Sequence, residues 1–171
     1  VALSSDGQYA FVADGSDGLD IINVSNLTNP TPAGTFNTSG TARGVTLSSD
    51  RQDAFVADYS GGLGIIKVYD VTDPTHVKTF NPGGSAESVT LSSDGQYAFV
   101  ADSSRGLQII NVSDVTAPTL AGTFNTSGYA VGVTLSPGGQ YYAFVADSSH
   151  GLDIINVSDV ILGWAVCLCC R

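Results

Sequence analysis

Four aspartates recur in one setting: Asp14, Asp58, Asp102 and Asp147 each close an "AFVAD" segment. Four carboxylates set around one axis would offer the several oxygen ligands that a hard cation such as Ca2+ takes. Each also stands at the start of a tight turn, where an Asp side chain accepts backbone N–H bonds and caps the turn. An Asp in every copy of a repeat fits the capping role better, so no cofactor is expected and the ring stays a weak Ca2+ candidate. The Asp6, Asp50 and Asp94 of "SSD" read as turn residues too, and the fourth copy has Gly138 in that place.

Groups for nucleophilic or acid–base chemistry are scarce. Of two histidines, His76 is expected in a connection on the far side, and His150 in a turn. His150 with Asp147 or Asp153 resembles a base and its orienter, but no nucleophile stands within reach in sequence. No G-x-S-x-G, H-E-x-x-H, phosphate-binding loop or dinucleotide fingerprint occurs, so the chain reads as not an enzyme. The cysteines Cys167, Cys169 and Cys170 fall together in an apolar tail. "CLCC" lacks the second ligand pair that a zinc site needs.

Six asparagines begin N-x-S/T: Asn23, Asn26, Asn37, Asn111, Asn125 and Asn156. They are glycosylation acceptors in an export pathway that uses them and ordinary turn asparagines otherwise, the default reading here. The formal charge is −10, from 16 acidic against 6 basic residues. That sign opposes a phosphate backbone and argues against nucleic acid as partner. No stretch reaches the roughly 18 apolar residues that span a bilayer. The chain carries no signal peptide and no Met, and reads as a mature product or a fragment, so compartment is not legible from that end.

The elements that position these residues come from a repeat. "VALSSDGQ" at Val1 returns as "VTLSSDRQ" at Val45, "VTLSSDGQ" at Val89 and "VTLSPGGQ" at Val133, an offset of 44 residues; an extra Tyr at 141–142 shifts the rest of the fourth copy by one. Each unit holds four strand-like runs. "VTLS" (Val45–Ser48 in the second copy) leads through an "SDG" turn to "QYAFVAD", where Tyr9, Phe11 and Ala13 share one face and Ala10 and Val12 the other. Both faces are apolar, as in a strand sandwiched between sheets. "GLDIINVS" (Gly18–Ser25) is likewise apolar on both sides. After a Pro-containing connection, "AGTFNTS" (Ala33–Ser39) is more polar, as an outer edge strand is. Four antiparallel strands in about 44 residues make a β-propeller blade. The chain is predicted to be all-β, with blades at 1–44, 45–88, 89–132 and 133–160, then an irregular tail at 161–171.

The stretch "AFVADGSDGLDIINVSNLTNPTPAGTF" resembles the LVIVD repeat through its "VAD…GL.II.VS" core and following Pro, in all four copies. The resemblance implies a propeller scaffold of bacterial and archaeal surface or secreted proteins, with no shared catalytic residues. The fourth copy departs from it, with "SPGGQYY" and then "ILGWAVCLCCR" where a Pro turn belongs. Four copies would close on themselves, pair with a second chain to make eight blades in all, or form part of a larger ring. The self-contained ring is slightly preferred.

With the first run innermost, the second-to-third turns and the blade connections emerge on one face, where the copies differ most. Asp17, Arg105 and His150 vary in one column; Tyr59 stands in the column of Gly15; Arg43, Glu87 and Tyr129 lie in the connections. Loops drift freely, and they also carry recognition. The variable face is the candidate ligand site, for a protein or glycan outside the cell or at its surface. The alternative is a structural subunit that assembles with itself into oligomers or fibres.

Overall fold

The computed structural model describes residues 1–137 and 142–161. The first repeat forms β1 (Ala2–Leu3), β2 (Tyr9–Ala13), β3 (Leu19–Asn23) and β4 (Thr31–Phe36), an antiparallel sheet in chain order. The second repeat follows suit with β5 (Gly44–Leu47), β6 (Asp53–Ala57), β7 (Leu63–Lys67) and β8 (Thr75–Phe80). The third has β9 (Ser88–Leu91), β10 (Tyr97–Ala101), β11 (Leu107–Asn111) and β12 (Thr119–Phe124). The fourth has three strands among the described residues, β13 (Ala130–Leu135), β14 (Tyr142–Asp147) and β15 (Gly151–Asn156), before one helical turn, α1 (Ser158–Ile161). Ile161, the first residue of the "ILGWAVCL" stretch from which a fourth outer strand would come, lies in that turn instead. The rest of the tail, with Trp164 and the three cysteines, lies outside the described residues. Among the described residues no helix is long and apolar enough to cross a membrane.

Local chemistry accounts for the hairpins. At the first turn Ser4 Oγ donates to Asp6 (2.5 Å) and accepts the Tyr9 N–H (2.9 Å), while Asp6 accepts the Gln8 N–H (3.0 Å). Ser48, Asp50 and Gln52, and then Ser92, Asp94 and Gln96, repeat the pattern. In the second blade Tyr9 and Asn23 are replaced by Asp53 and Lys67, which face each other in register and form an ion pair at 3.2 Å. Each outer strand of the first three blades carries a bulge against its neighbour. It starts two residues before the expected Ala33, and the bulge twists the exposed edge away from foreign strands.

The first strands line up as β1 on β5, β5 on β9 and β9 on β13, which makes them the inner layer. Between blades, one apolar face of each sheet meets the opposite face of the next. Phe11, Leu19 and Ile21 pack on Ala54, Val56, Ile66 and Val68. Phe55, Ala57, Leu63 and Ile65 pack on Ala98, Val100, Ile110 and Val112. Phe99, Ala101, Leu107 and Ile109 pack on Ala143, Val145 and Val157. Each fully buried Leu or Ile contributes about 1.5–3 kcal/mol, so the junctions hold most of the stability. Among the described residues no cluster joins the fourth blade to the first. The preferred self-contained ring is therefore corrected to an open arc. Leu152 and Ile154 of the fourth blade stay 59 % and 60 % exposed where Leu107 and Ile109 of the third are fully buried, so no described blade covers that face.

Candidate functional site

Isolated bridges tie Gly15 to Ala42, Tyr59 to Ala86 and Ser103 to Ala130. Each links the second-to-third turn of one blade to the connection entering the next. The two sets of variable loops therefore share one face.

Three of the sequence candidates meet there. The Arg43 guanidinium lies 4.9 Å over the Tyr59 ring, and its Nε stands 4.0 Å from Glu87. Tyr59 is fixed from below by two backbone bonds with Ala86, at 2.9 and 3.0 Å. Its φ is +46°, where Gly15 has +58° and Ser103 +50°. A left-handed backbone suits Gly and is costly for a bulky side chain, so Tyr59 is held in strain. The other candidates are spread out. Arg105 packs over the neighbouring loop, 3.4 Å from where a Gly83 side chain would begin. Tyr129 is 55 % exposed. His150 Nδ1 stands 3.6 Å from the buried Asp147. Asp17 leaves the group, lining a groove with Asp20 and Pro32 along the first blade. His76, expected in a far connection, sits in β8, stacked on Phe36 (6.3 Å) and bonded to Thr79 (3.0 Å).

Among the described residues no group of three or more His, Cys, Asp or Glu is spaced to hold a metal, so the four aspartates do not converge on one point. Two of them, Asp58 and Asp147, are latches between blades. Asp58 accepts the Thr38 hydroxyl (2.6 Å) and the Gly40 N–H (2.7 Å) from the loop of the preceding blade. Asp147 accepts the Gly128 N–H (2.6 Å) across its junction, and the N–H groups of Ser149 and His150 in its own turn. Burial would raise its pKa, but these N–H groups together hold it below the ordinary value. A Cβ at Gly40, Gly84 or Gly128 would collide with the aspartate it faces, so the glycine allows the close approach. The latch loop "NTSG" was in view at Asn37–Gly40 and Asn125–Gly128, but nothing local pairs it with an Asp some twenty residues later.

Asp102 is the exception. Its loop reads Asn81-Pro82-Gly83-Gly84, so Pro82 stands in the place of Thr38, and Gly83 turns left-handed at φ +95°. Asp102 is wholly buried, and neither carboxylate oxygen has a partner within hydrogen-bond geometry. Burial pushes its pKa up to about 6; the Gly84 N–H and the Arg105 charge oppose this only in part. Asp14 is exposed and takes part in no described latch.

Four of the N-x-S/T asparagines have a local structural role. Asn23 accepts the N–H and the hydroxyl of Ser25 at 3.0 and 2.7 Å, and Asn26, Asn111 and Asn156 do the same two residues on. Asp70 and Asp114 make the identical turn with Thr72 and Thr116. The triplet is an Asx-turn, which Asn and Asp fill alike.

A crystal structure of a candidate 6-phosphogluconolactonase from Bacteroides uniformis is similar, at 19 % identity and TM-score 0.75, over 89 % of this chain and 48 % of the other. A periplasmic gluconolactonase from Pseudomonas aeruginosa is similar at 17 % identity and TM-score 0.69, over 91 % and 56 %. A chain of the mitotic checkpoint complex matches at 14 % and TM-score 0.74, over 89 % and 46 %. The chain spans about half the length of these structures, and at such identities the likeness is one of fold. It corrects the expectation that this chain is not an enzyme: the same fold carries proteins described as lactonases, so the scaffold does not exclude catalysis. No curated protein matches the sequence. The LVIVD repeat model matches residues 1–38, 39–81, 83–126 and 127–160, and the chain belongs to the LVIVD repeat family.

Proposed function

We propose that the chain is a recognition scaffold that binds a protein or glycan on its loop face, outside the cell or at its surface. The observation that carries this is Tyr59. A bulky residue in a left-handed turn costs on the order of 1–2 kcal/mol, at a position where Gly would cost little. Residues kept in such strain cluster at functional sites. Arg43 over its ring and Glu87 beside it add the residue types and mixed charge that suit a binding hot spot. The surface location rests on the family resemblance alone. A glycan array with a pull-down, run on wild type and on Tyr59→Gly/Tyr129→Ala, tests the reading. Equal binding of every hit by the double variant would defeat it.

A hydrolytic reading has one observation behind it: His150 beside the buried Asp147 carboxylate on the same face. The names of two structural neighbours supply the substrate to try. Gluconolactone and its 6-phosphate, assayed with wild type and His150→Ala, decide it; turnover that the variant lacks would replace the recognition reading.

A further inference from the structure

The third strand of each blade carries one column in which the copies disagree: Asp20, Gly64, Gln108 and Asp153. In the third blade the Gln108 side chain is almost fully buried, donates to the Arg105 carbonyl at 2.8 Å and accepts the Thr123 hydroxyl at 2.9 Å. In the first blade Asp20 accepts the Thr35 hydroxyl at 2.8 Å. Gly64 offers its cross-strand partner Thr79 no side chain, and Thr79 bonds His76 Nε2 instead, at 3.0 Å. Backbone geometry does not demand this glycine. Its φ lies outside the left-handed region, and a Cβ there would meet nothing closer than the Val56 carbonyl oxygen at 3.8 Å. Gly inside a strand weakens it and often marks a place that a ligand approaches closely.

Where the side chain is missing, a cavity of about 260 Å³ opens between the first and second blades. Gly64, Ile66 and Asp58 are buried at its floor, and His76, Thr79 and Ser39 are exposed at its mouth. At roughly 30 Å³ per water the space equals about nine waters, which suits one small molecule and no peptide. Among the described residues no Lys or Arg lines it, so an anion has no counter-charge there. Asp58 already accepts the Thr38 hydroxyl and the Gly40 N–H, and its carboxylate has further lone pairs to offer. Ser39, Thr79 and His76 can each donate or accept, as the hydroxyls of a ligand do. The walls are apolar: Ile66, and the rings of Phe36 and His76, parallel within 9°. Apolar and aromatic walls with a few placed polar groups are the usual make-up of a small-molecule site.

We propose that this cavity binds one neutral monosaccharide unit, its C–H face against Phe36 and Ile66 and its hydroxyls on Asp58, Thr79 and His76. The site lies in a junction between blades and is distinct from the group of Tyr59, Arg43 and Glu87, so it does not rest on the recognition reading.

Chemical-shift titration of the isotope-labelled protein with glucose, galactose and mannose tests it. At least one sugar is expected to bind at millimolar concentration and to shift the amides of Ser39, Gly64, His76 and Thr79. Gly64→Gln copies the third blade and fills the cavity; it is expected to abolish the response while keeping the wild-type circular dichroism. His76→Leu, which copies Leu120, is expected to weaken binding severalfold. No shift with any of the three sugars would overturn the proposal, as would an undiminished response in either folded variant. Shifts gathered at Arg43, Tyr59 and Glu87 would overturn it too, and would favour the loop-face reading instead.

Discussion

Grafting the first junction's loop onto the second, as Pro82→Thr with Gly83→Ser, gives Asp102 the hydroxyl donor that Asp58 receives from Thr38. In the wild type Asp102 titrates near 6 when folded, against 3.8 for the free side chain. The folded state thus holds the proton more tightly, so this group favours folding below about pH 4, and the benefit is lost as pH rises through 6. The difference amounts to about 3 kcal/mol between the two limits. Asp6, Asp50, Asp94 and Asp147 have lowered values and act in the opposite sense, losing their contribution as pH falls below 3.8. The window from about pH 4 to 6 therefore isolates Asp102. Urea unfolding across that window is expected to show wild-type stability falling with pH and the grafted protein's holding level. By pH 7 the graft is more stable by up to about 3 kcal/mol, or roughly 6–12 °C in Tm. Any strain from placing Ser at the left-handed Gly83 shifts both ends of the curve equally and leaves the slope readable. Parallel curves for the two proteins, or wild-type stability rising through the window, would refute the reasoning.

Three further outcomes follow from the same structure. Tyr59→Gly relieves the left-handed strain and is expected to raise stability by about 1 kcal/mol in chemical denaturation, while weakening whatever the loop face binds. Gly40→Ala forces a Cβ against Asp58 and is expected to cost roughly 1–3 kcal/mol, read by the urea midpoint. Leu107→Ala, in a filled junction, is expected to cost about 2–5 kcal/mol in the same assay; Leu152→Ala, in the open column, costs a monomer little.

Blade architecture was legible because it is local. A strand between two sheets must be apolar on both faces, and "AFVA" with "L-x-I-I" announces that four times. The turns were equally plain: Ser4 and Asp6 satisfy their own hairpin within five residues. The common face of the variable loops also followed from strand order. Beyond that range the sequence is silent. Asp58 and Asp102 end the same word, yet one is bonded and the other orphaned. The difference lies in Thr38 and Pro82, roughly twenty residues away on the neighbouring blade, which only packing brings alongside. Tyr59 over Arg43 and under strain is likewise a product of the bridge to Ala86. Openness of the arc was hidden for a further reason. Each repeat encodes contacts with its neighbours, while closure depends on the small rotation between blades summed over all of them. No single repeat carries that sum, so the exposed Leu152 and the buried Leu107 read identically in sequence and part company only in the tertiary structure.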